Sequence, residues 1–600
     1  MDDFFKNHKT HASAADAAAD AVYHGTDLDC GTDAYKALVQ AVKEGKITEE
    51  SIDTSVKRLF MIRFRLGMFD PVSMVKYAQT PDSILESSIH GKHALEMARS
   101  SAVLLKNEQH TLPLRKNLKK VVVLGPNADN AIAILGNYNG IPSKLSTVLD
   151  GIRQKVGAAT EIIYEQAINF TNDTLLTYAE MEGKYTFNGR PGVHARYFSN
   201  TAMKGDPIFE RYENTIDHFW QEGETIADGL RANDFSVHFQ TDFHADHDSP
   251  LVFEVEADDG YRLIVNDDTV LNAWERNRWG AKTYTLNTKR DSVYHLELEY
   301  WQGGGKGNIR LSAGNFQRTD FKQLAEQHKD TDAFIFVGGI SPQLEGEEMQ
   351  VDYPGFNGGD RTSILLPTVQ TALMKELQAT GKPVVFVMMT GSAIAIPWEA
   401  DHLPAILNAW YGGQAAGTAV ADILFGDYNP SGRLPVTFYR GDEDLVAFND
   451  YNMDNRTYRY FKGKPLYGFG YGLSYTSFKY EDVQLPKKLK KGESVQVKTR
   501  VRNVGDRDGD EVVQLYIVNS KGRDKMPLKS LKGFRRIHLK AGEAKELTFE
   551  LSPKALSYVQ DDGSSALLEG EVEIAIGGVQ PGEQNDVKNT DLQRRTVYIN

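Results

Sequence analysis

Short apolar runs alternate with helical patterns in two stretches of the chain, which lie on either side of a long segment of different character. The apolar runs are Lys120–Leu124, Ala333–Val337, Pro383–Met388 and Pro404–Trp410. A helical pattern, Thr368–Thr380, lies between the second and the third of them. Buried strands that alternate with helices are typical of a mostly parallel sheet covered on both faces. We therefore predict an α/β domain formed by residues 76–184 and 316–474.

Two other stretches alternate apolar and polar residues with a period of two. The clearest runs are Phe235–Phe239, Leu251–Glu256, Val293–Tyr300, Val495–Val501, Val512–Ile517 and Lys545–Leu551. Period-two alternation with turns between the runs is typical of antiparallel β-sandwiches. We predict one sandwich at 185–315, inserted into the α/β domain, and a second at 475–600.

The first 75 residues contain three helical patterns joined by short polar segments. The patterns cover Ala12–Val22, about Asp33–Glu44, and Thr48–Leu66, and a glycine follows each one closely, as expected of helix C-caps. Their apolar faces have nothing nearby in the sequence to cover them. We interpret residues 1–75 as the end of a larger domain.

Composition excludes several classes of function. Lys and Arg total 68 against 82 Asp and Glu, a net charge of −14, which argues against a nucleic-acid binder and gives no help to binding an anionic membrane. No apolar run approaches the roughly 18 residues that a membrane-spanning helix needs. The one cysteine, Cys30, excludes an intrachain disulfide and a cysteine-rich zinc site.

An acidic segment follows the strand predicted at Ala333–Val337. Glu345-Gly346-Glu347-Glu348 carries three carboxylates in four residues. Neighbouring carboxylates raise one another's pKa, which a general acid needs, and ligands of open α/β sheets gather at the carboxyl ends of strands. The alternative is a solvated acidic loop without a catalytic role.

Other polar and aromatic segments allow both a functional and a structural interpretation. Asp360-Arg361 could orient a loop or ligand, although a loop–helix junction is the simpler interpretation. His244–His247 could bind a metal but lacks an evident third ligand. Asp258–Gly260 fits a turn, or a contact to a sugar hydroxyl or calcium. We expect Trp274 and Trp301 in the core rather than on a sugar-binding platform.

Several of these segments together resemble glycoside hydrolase family 3. The segments are Gly25–Gly31, Arg65–Asp70, Val103–Asn107, Leu112–Leu114, Leu344–Glu348, Gly359–Arg361, Leu366–Pro367, Gly426–Pro435 and Pro465–Tyr475. The insert, with Asp258–Leu263, is similar to the protective-antigen-like sandwich of some members, and the C-terminal sandwich resembles their fibronectin type III-like domain. The resemblance covers nearly the whole chain.

The resemblance implies a multidomain α/β plus all-β fold. Residues 1–75 would be the C-terminal remnant of a (β/α)8 TIM barrel. Residues 76–184 and 316–474 would form the α/β sandwich domain, interrupted by the protective-antigen-like β-sandwich at 185–315. Residues 475–600 would be the fibronectin type III-like domain.

The resemblance also implies a retaining, exo-acting β-glycosidase that removes terminal β-linked glucose or xylose from oligosaccharides or glycosides. Such enzymes use a nucleophile and an acid/base about 5 Å apart. The family's nucleophile is an aspartate of a Ser-Asp motif just before the segment that matches Asp2–Phe5, so we expect a truncation within the barrel. Asp2 and Asp3 match later positions. The acid/base is expected at Glu345, then Glu347, with Glu348 third.

Two other hypotheses remain open from the residues: a non-catalytic glycan-binding or accessory protein, and a structural fragment. The mechanism requires no cofactor and no metal. The expected partner is an oligosaccharide or β-glycoside, with no nucleic acid and no membrane. A parent enzyme is expected to be periplasmic or secreted, with its signal upstream of this chain. The glycone and the oligomeric state are left open.

Overall fold

The computed structural model describes residues 1–140, 142–181, 183–275, 280–347, 349, 351–522, 526–560, 562–582 and 589–600. The chain divides into two compact units, Met1–Gly91 and Lys92–Asn600.

The first unit is helical. Its α-helices are Asp2–Lys6, Ala14–Tyr23, Leu38–Lys43 and Glu49–Arg65, and its 3-10 turns are Tyr35–Ala37, Val72–Met74, Lys76–Gln79 and Asp82–Ile84. Side chains cap the longer helices: Ser13 accepts from the Asp16 N–H and Thr48 from the Ser51 N–H, both at 3.2 Å. A small core of alanines, Val22 and Ile47 holds the unit together.

A six-stranded sheet forms the centre of the second unit. Its strands are β1 (Val103–Asn107), β2 (Lys120–Leu124), β3 (Glu161–Glu165), β4 (Ala333–Gly339), β5 (Val384–Met389) and β6 (Ala405–Asn408). The order across the sheet is β1-β6-β5-β4-β2-β3, and only β1 runs antiparallel to its neighbour. The mostly parallel sheet that the apolar runs predict is therefore present.

Helices precede, separate and follow these strands in the sequence, and the sheet has a hydrophobic core on each of its two faces. The helices are Ser88–Ser101, Ala131–Leu135, Val148–Lys155, Phe321–Gln327, Thr368–Ala379, Pro397–His402 and Ala416–Leu424. Successive strand residues alternate between the cores: Phe334 and Phe336 belong to one, and Ile335 to the other. A sheet buried on both faces explains why its strands are continuous apolar runs.

Two antiparallel sheets lie between β3 and β4 in sequence. The first has eight strands: Tyr185–Phe187, Arg190–Pro191, Val193–Phe198, Phe209–Glu213, Phe235–His244, Gly260–Val265, Asp268–Ala273 and Val293–Gln302. The second has five: Thr174–Tyr178, Asp217–Trp220, Ser249–Ala257, Gly280–Thr288 and Gly307–Arg318. Phe239 and Leu298 from the first sheet share a core with Phe253 from the second. A hairpin of Thr225–Ala227 and Leu230–Arg231 accompanies them.

The C-terminal part of the second unit is all β. Three strands form one sheet: Phe478–Gln484, Val495–Asn503 and Ala544–Leu551. Five form another: Lys488–Leu489, Gly509–Val518, Lys529–Leu539, Gly570–Gly577 and Leu592–Ile599. A hairpin of Ser557–Val559 and Ser565–Leu567 completes the set. The multidomain α/β class with β-rich regions is confirmed, whereas the barrel origin of residues 1–75 stays a prediction.

The two long glycine-containing segments, Gly426–Pro435 and Pro465–Tyr475, contact the C-terminal sheets. The Arg433 guanidinium binds Glu511 at 2.8 Å. The Gln514 side-chain amide donates to the Gly470 carbonyl at 2.9 Å. These segments therefore join the central sheet to the C-terminal sandwich.

Within the described residues, no helix combines the length and apolar character needed to cross a bilayer.

Candidate active site

Three loops meet where neighbouring parallel strands end. Glu345 follows β4, Gly391 and Ser392 follow β5, and Tyr411 follows β6. Because β4, β5 and β6 are adjacent and parallel, their carboxyl ends lie at one edge of the sheet, the usual position of ligand sites in open α/β folds.

The chain leaves β4 through a tightly constrained glycine. Gly339 has φ of +102°, and a Cβ there would lie 2.1 Å from the Met389 carbonyl oxygen. The buried Gln370 side chain accepts from the Gly339 N–H at 2.8 Å and donates to its carbonyl at 2.7 Å. The start of the acidic loop is thus held against β5 and the helix Thr368–Ala379.

The Glu345 carboxylate is held by donors from both neighbouring loops. Leu344 is buried, and the Glu345 N–H donates to the Ser341 carbonyl at 3.2 Å. Glu345 Oε1 accepts from the Gly391 N–H at 3.1 Å and the Tyr411 hydroxyl at 2.9 Å. Its Oε2 accepts from Ser392 Oγ at 3.1 Å. Both carboxylate oxygens therefore have donors, and the side chain is only half-buried.

Strained backbone precedes Tyr411. Trp410 adopts φ of +54°, the left-handed region that large residues rarely enter. Its N–H donates to Asn408 Oδ1 at 3.3 Å, and its indole N–H donates to the Ser101 carbonyl at 3.2 Å. Burial, with a further contribution from the Glu345 charge, raises the pKa of Tyr411 far above its ordinary value. The hydroxyl therefore stays protonated and serves as a donor.

A short hairpin packs against the acidic loop. Strands Asp352–Tyr353, Phe356–Asn357 and Asp360–Arg361 form a three-stranded sheet. Gly359, with φ of +94°, lies so close that a Cβ would be 2.1 Å from the Gly346 carbonyl oxygen. The Met349 N–H donates to the Gly358 carbonyl at 3.0 Å. The hairpin thus supports the residue between Glu345 and Glu347.

The predicted site residues have different environments. Glu345 lies in the cluster described above. Glu347 is exposed and makes no hydrogen bond to the described residues, and Glu348 lies outside them. Asp360 is exposed, whereas Arg361 reaches the loop after β5. Arg361 ends a strand of the hairpin, so the simpler interpretation as a loop–helix junction is wrong.

Sequence reasoning missed Gly391, Ser392 and Tyr411. A Cβ on Gly391 would lie 2.9 Å from Glu345 Oε1 and from Tyr411 Cε2, which explains the glycine. A signal was available, since each residue lies within a few positions of the end of a predicted parallel strand. Their convergence on Glu345 depends on the strand order, which the sequence does not display.

Other candidates form local contacts. His244 Nε2 pairs with Thr186 Oγ1 at 2.7 Å, and no metal-binding group of three or more His, Cys, Asp or Glu occurs in the described part of the chain. Asp259 adopts φ of +63° in a turn and accepts from the Gly303 N–H at 2.8 Å. Trp274 and Trp301 are half-buried rather than core residues, so that prediction is wrong. Arg262 stacks on Trp274, with its guanidinium carbon 3.9 Å from the ring centroid.

Asp2 has a structural environment within the first unit. It accepts from the Ala34 N–H at 2.9 Å and the Thr32 hydroxyl at 3.0 Å. These hydrogen bonds, that of Ala34 foremost, hold the pKa of the Asp2 carboxyl well below its ordinary value. Asp2 thereby ties the first helix to the segment 32–34.

Comparison with known families agrees with this architecture. The family described as Glycosyl hydrolase family 3 C-terminal domain matches residues 102–475. The Fibronectin type III-like domain matches residues 511–580.

Two curated relatives illustrate the similarity. A xylan 1,4-beta-xylosidase of Xylanibacter ruminicola is 37% identical over 605 residues, covering 100% of this chain and 68% of the relative. A periplasmic beta-glucosidase of Salmonella typhimurium is 28% identical over 589 residues, covering 95% of this chain and 60% of the relative. The chain thus spans about two thirds of the length of these relatives.

Solved structures share the fold. A beta-glucosidase from Kluyveromyces marxianus superposes with a TM-score of 0.69 at 23% identity, covering 97% of this chain and 72% of that one. A beta-glucosidase from Listeria innocua superposes with a TM-score of 0.63 at 21% identity, covering 99% of this chain and 62% of that one in its complex with isofagomine or 61% in its complex with glucose. The family match spans more than half of the chain, and the chain therefore belongs to the family 3 glycoside hydrolases.

Proposed function

We propose that the protein is a retaining, exo-acting β-glycosidase that hydrolyses terminal β-linked xylose or glucose, and that this chain supplies the acid/base. The observation that carries the proposal is the Glu345 carboxylate at the carboxyl end of the parallel sheet, held by Gly391, Ser392 and Tyr411. Family membership supplies the reaction class.

The proposed chemistry uses one carboxyl group twice. In the first step its proton passes to the glycosidic oxygen while a nucleophilic carboxylate attacks the anomeric carbon and the leaving group departs. In the second step the same group, now ionised, takes a proton from water, whose oxygen displaces the enzyme carboxylate. The anomeric configuration is retained.

We place the nucleophile outside residues 1–600. The family's Ser-Asp motif is expected just before the segment that matches Asp2–Phe5, and the chain spans about two thirds of its relatives' length. The local hydrogen bonds of Asp2 support a structural role for that residue.

Glu345 and Glu347 compete for the acid/base role. Glu345 is favoured by its fixed position, because proton transfer requires a group held within hydrogen-bond reach of the reacting oxygen. Glu347 is exposed, so its side chain is free to turn toward a substrate. The two residues lie on one loop and form a matched pair for substitution.

The choice of substrate follows the relatives. The relative with 37% identity is named a xylosidase, and the one with 28% identity a beta-glucosidase. An aryl β-xyloside is therefore the first substrate to test, and an aryl β-glucoside the second.

The test compares E345A with E347A, each in the 600-residue chain and in a longer form that carries the family's Ser-Asp motif. We expect E345A to lose about 10²–10⁴-fold in rate on a substrate with a poor leaving group. Activated aryl glycosides should lose less, because they need no proton. Added azide should rescue E345A and yield a β-glycosyl azide, while E347A stays near the unsubstituted rate.

Other results assign the function differently. Azide rescue of E347A alone would transfer the acid/base role to Glu347. Rescue of neither variant would remove the role from this pair. If neither form of the chain hydrolyses any glycoside while binding oligosaccharides, the accessory, non-catalytic function replaces the enzyme.

A further inference from the structure

The Arg361 guanidinium lies near the site and is linked to Glu345 through Ser392, without a direct hydrogen bond between the two charged groups. Its Nη1 donates to Ser392 Oγ at 2.9 Å and to the Ala393 carbonyl at 2.7 Å. Ser392 Oγ in turn donates to Glu345 Oε2 at 3.1 Å. One serine hydroxyl therefore lies between the two charges.

The arginine sets the direction of this relay. A guanidinium has only donors, so Ser392 Oγ must accept from Arg361, and the single hydroxyl proton is free to point at Glu345. The Gly391 N–H is also a fixed donor, and it faces the other carboxylate oxygen. The two donors therefore fix both oxygens of the Glu345 side chain as their acceptors.

Arg361 is also under-satisfied where it sits. Its Nε and Nη2 are buried and find no acceptor among the described residues. Burial lowers the pKa of the guanidinium, and the charge of Glu345 opposes that change. A buried guanidinium with unpartnered donors is costly, and among the charges that offset this cost Glu345 contributes most, ahead of Asp442.

We propose that Arg361 is a positioning residue: acting through Ser392, it fixes the orientation of the Glu345 carboxyl group. Calling Glu345 the acid/base rests on the proposed function. The coupling between Arg361 and Glu345 does not, because it is a property of the folded chain.

A double-mutant cycle on thermal unfolding tests the coupling in the full chain. The variants are R361Q, E345Q and their combination. We expect R361Q to lower the Tm, and that loss to shrink by about half in the E345Q background, where no carboxylate charge is left without its counter-charge. R262Q is the control, because Arg262 pairs with Glu299 at 3.3 Å in the inserted sheets. Its loss should be the same in both backgrounds.

Additive Tm changes for R361Q and E345Q would overturn the proposal and leave Arg361 as a packing residue. If R361Q gives no folded protein, R361K carries the same cycle. A lysine keeps the charge, but its compact ammonium lacks the planar, fixed geometry with which Arg361 Nη1 reaches both Ser392 and Ala393, so a smaller non-additive loss is expected. An additive R361K cycle would overturn the proposal equally.

Kinetics separate this inference from the function on which it rests. In a form of the chain that hydrolyses an aryl glycoside, R361K should retain a kcat several-fold higher than that of R361Q. If Arg361 had a packing role alone, the two substitutions would lower kcat equally. Failure of azide rescue in E345A would defeat the acid/base assignment and leave the coupling intact. Equal kcat losses together with an additive cycle would defeat the positioning role alone.

Discussion

Two glutamate–arginine arrangements in the second unit differ in what separates the charges. At the sheet edge, Ser392 lies between Arg361 and Glu345, and Glu345 is half-buried. At the junction with the C-terminal sandwich, Arg433 contacts Glu511 directly at 2.8 Å, and Glu511 is fully buried. The difference lies in burial and contact, not in the residue types.

The surroundings of Glu511 are those of a structural pair. Its Oε1 accepts from the Tyr480 hydroxyl at 2.8 Å and the Thr590 hydroxyl at 2.7 Å, while Oε2 accepts from Arg433. Burial raises the pKa of Glu511 although the Arg433 charge opposes it. A pair that only holds the central sheet against the C-terminal sheets does not need access to solvent, and Glu511 has none. Glu345, by contrast, is half-buried and keeps access to solvent.

Breaking the direct pair gives the largest expected effect. R433M leaves Glu511 buried without its counter-charge, which typically costs about 3–5 kcal/mol of unfolding free energy. Urea unfolding of the full chain measures the loss. The double variant R433M/E511Q should recover part of it, because no buried charge remains. A loss below about 1 kcal/mol for R433M would show that the junction tolerates an unpaired carboxylate.

A glycine pair tests how tightly the hairpin supports the site. Gly358 and Gly359 both have left-handed φ, +63° and +94°, but only at Gly359 would a Cβ meet the Gly346 carbonyl, at 2.1 Å. G358A should cost about 1–2 kcal/mol from backbone strain alone. G359A should cost about 1–3 kcal/mol more, because the loop that carries Glu345 must move. Equal losses in urea unfolding would mean that the loop is not supported there.

The sequence predicted the elements of the sheet far better than the contacts between their ends. The run Lys120–Leu124 matches β2 residue for residue, because a buried strand needs a continuous apolar run bounded by polar turns. The pattern Thr368–Thr380 likewise matches the helix Thr368–Ala379. The family resemblance favours Glu345, whose acid/base role stays a prediction. Ser392 and Tyr411 were missed because strand order alone brings them to it.

Arg361 illustrates a second limit. The dipeptide Asp360-Arg361 reads equally well as a surface pair, since both residues are charged and follow two glycines. Only the register Phe356↔Arg361 in the small sheet turns the guanidinium toward Ser392. Side-chain direction in so short a strand depends on pairing that no local pattern specifies.

Glu399 offers a third case, a buried carboxyl without an ion pair to the described residues. It is 1% exposed and accepts from the Thr371 hydroxyl at 2.5 Å. Burial raises its pKa, so its stabilising contribution is complete at low pH and lost as the pH rises through the folded value. E399Q does not titrate. The Tm of E399Q relative to the unsubstituted chain should therefore increase from about pH 4 to about pH 8.

The control for this titration is E550Q, since Glu550 is an exposed glutamate on a strand of the C-terminal sheets. A change in the E550Q difference as large as that of E399Q would assign the effect to the loss of any glutamate rather than to the burial of Glu399. A flat difference for E399Q would show that the pKa of Glu399 is the same in the folded and the unfolded chain, and that burial does not raise it.

Two tyrosines give the smallest and most closely matched contrast. Tyr480 donates to Glu511 Oε1 at 2.8 Å in a fully buried setting, and Tyr411 donates to Glu345 Oε1 at 2.9 Å at the sheet edge. Y480F should cost about 1.5–3 kcal/mol, as hydrogen bonds to buried charges do, and Y411F about 0.5–1.5 kcal/mol, because solvent can replace the lost donor. Urea unfolding compares them directly. Equal costs would mean that Glu345 is as isolated from water as Glu511. The contrast between a carboxylate open to solvent at the sheet edge and a buried one at the junction would then fail.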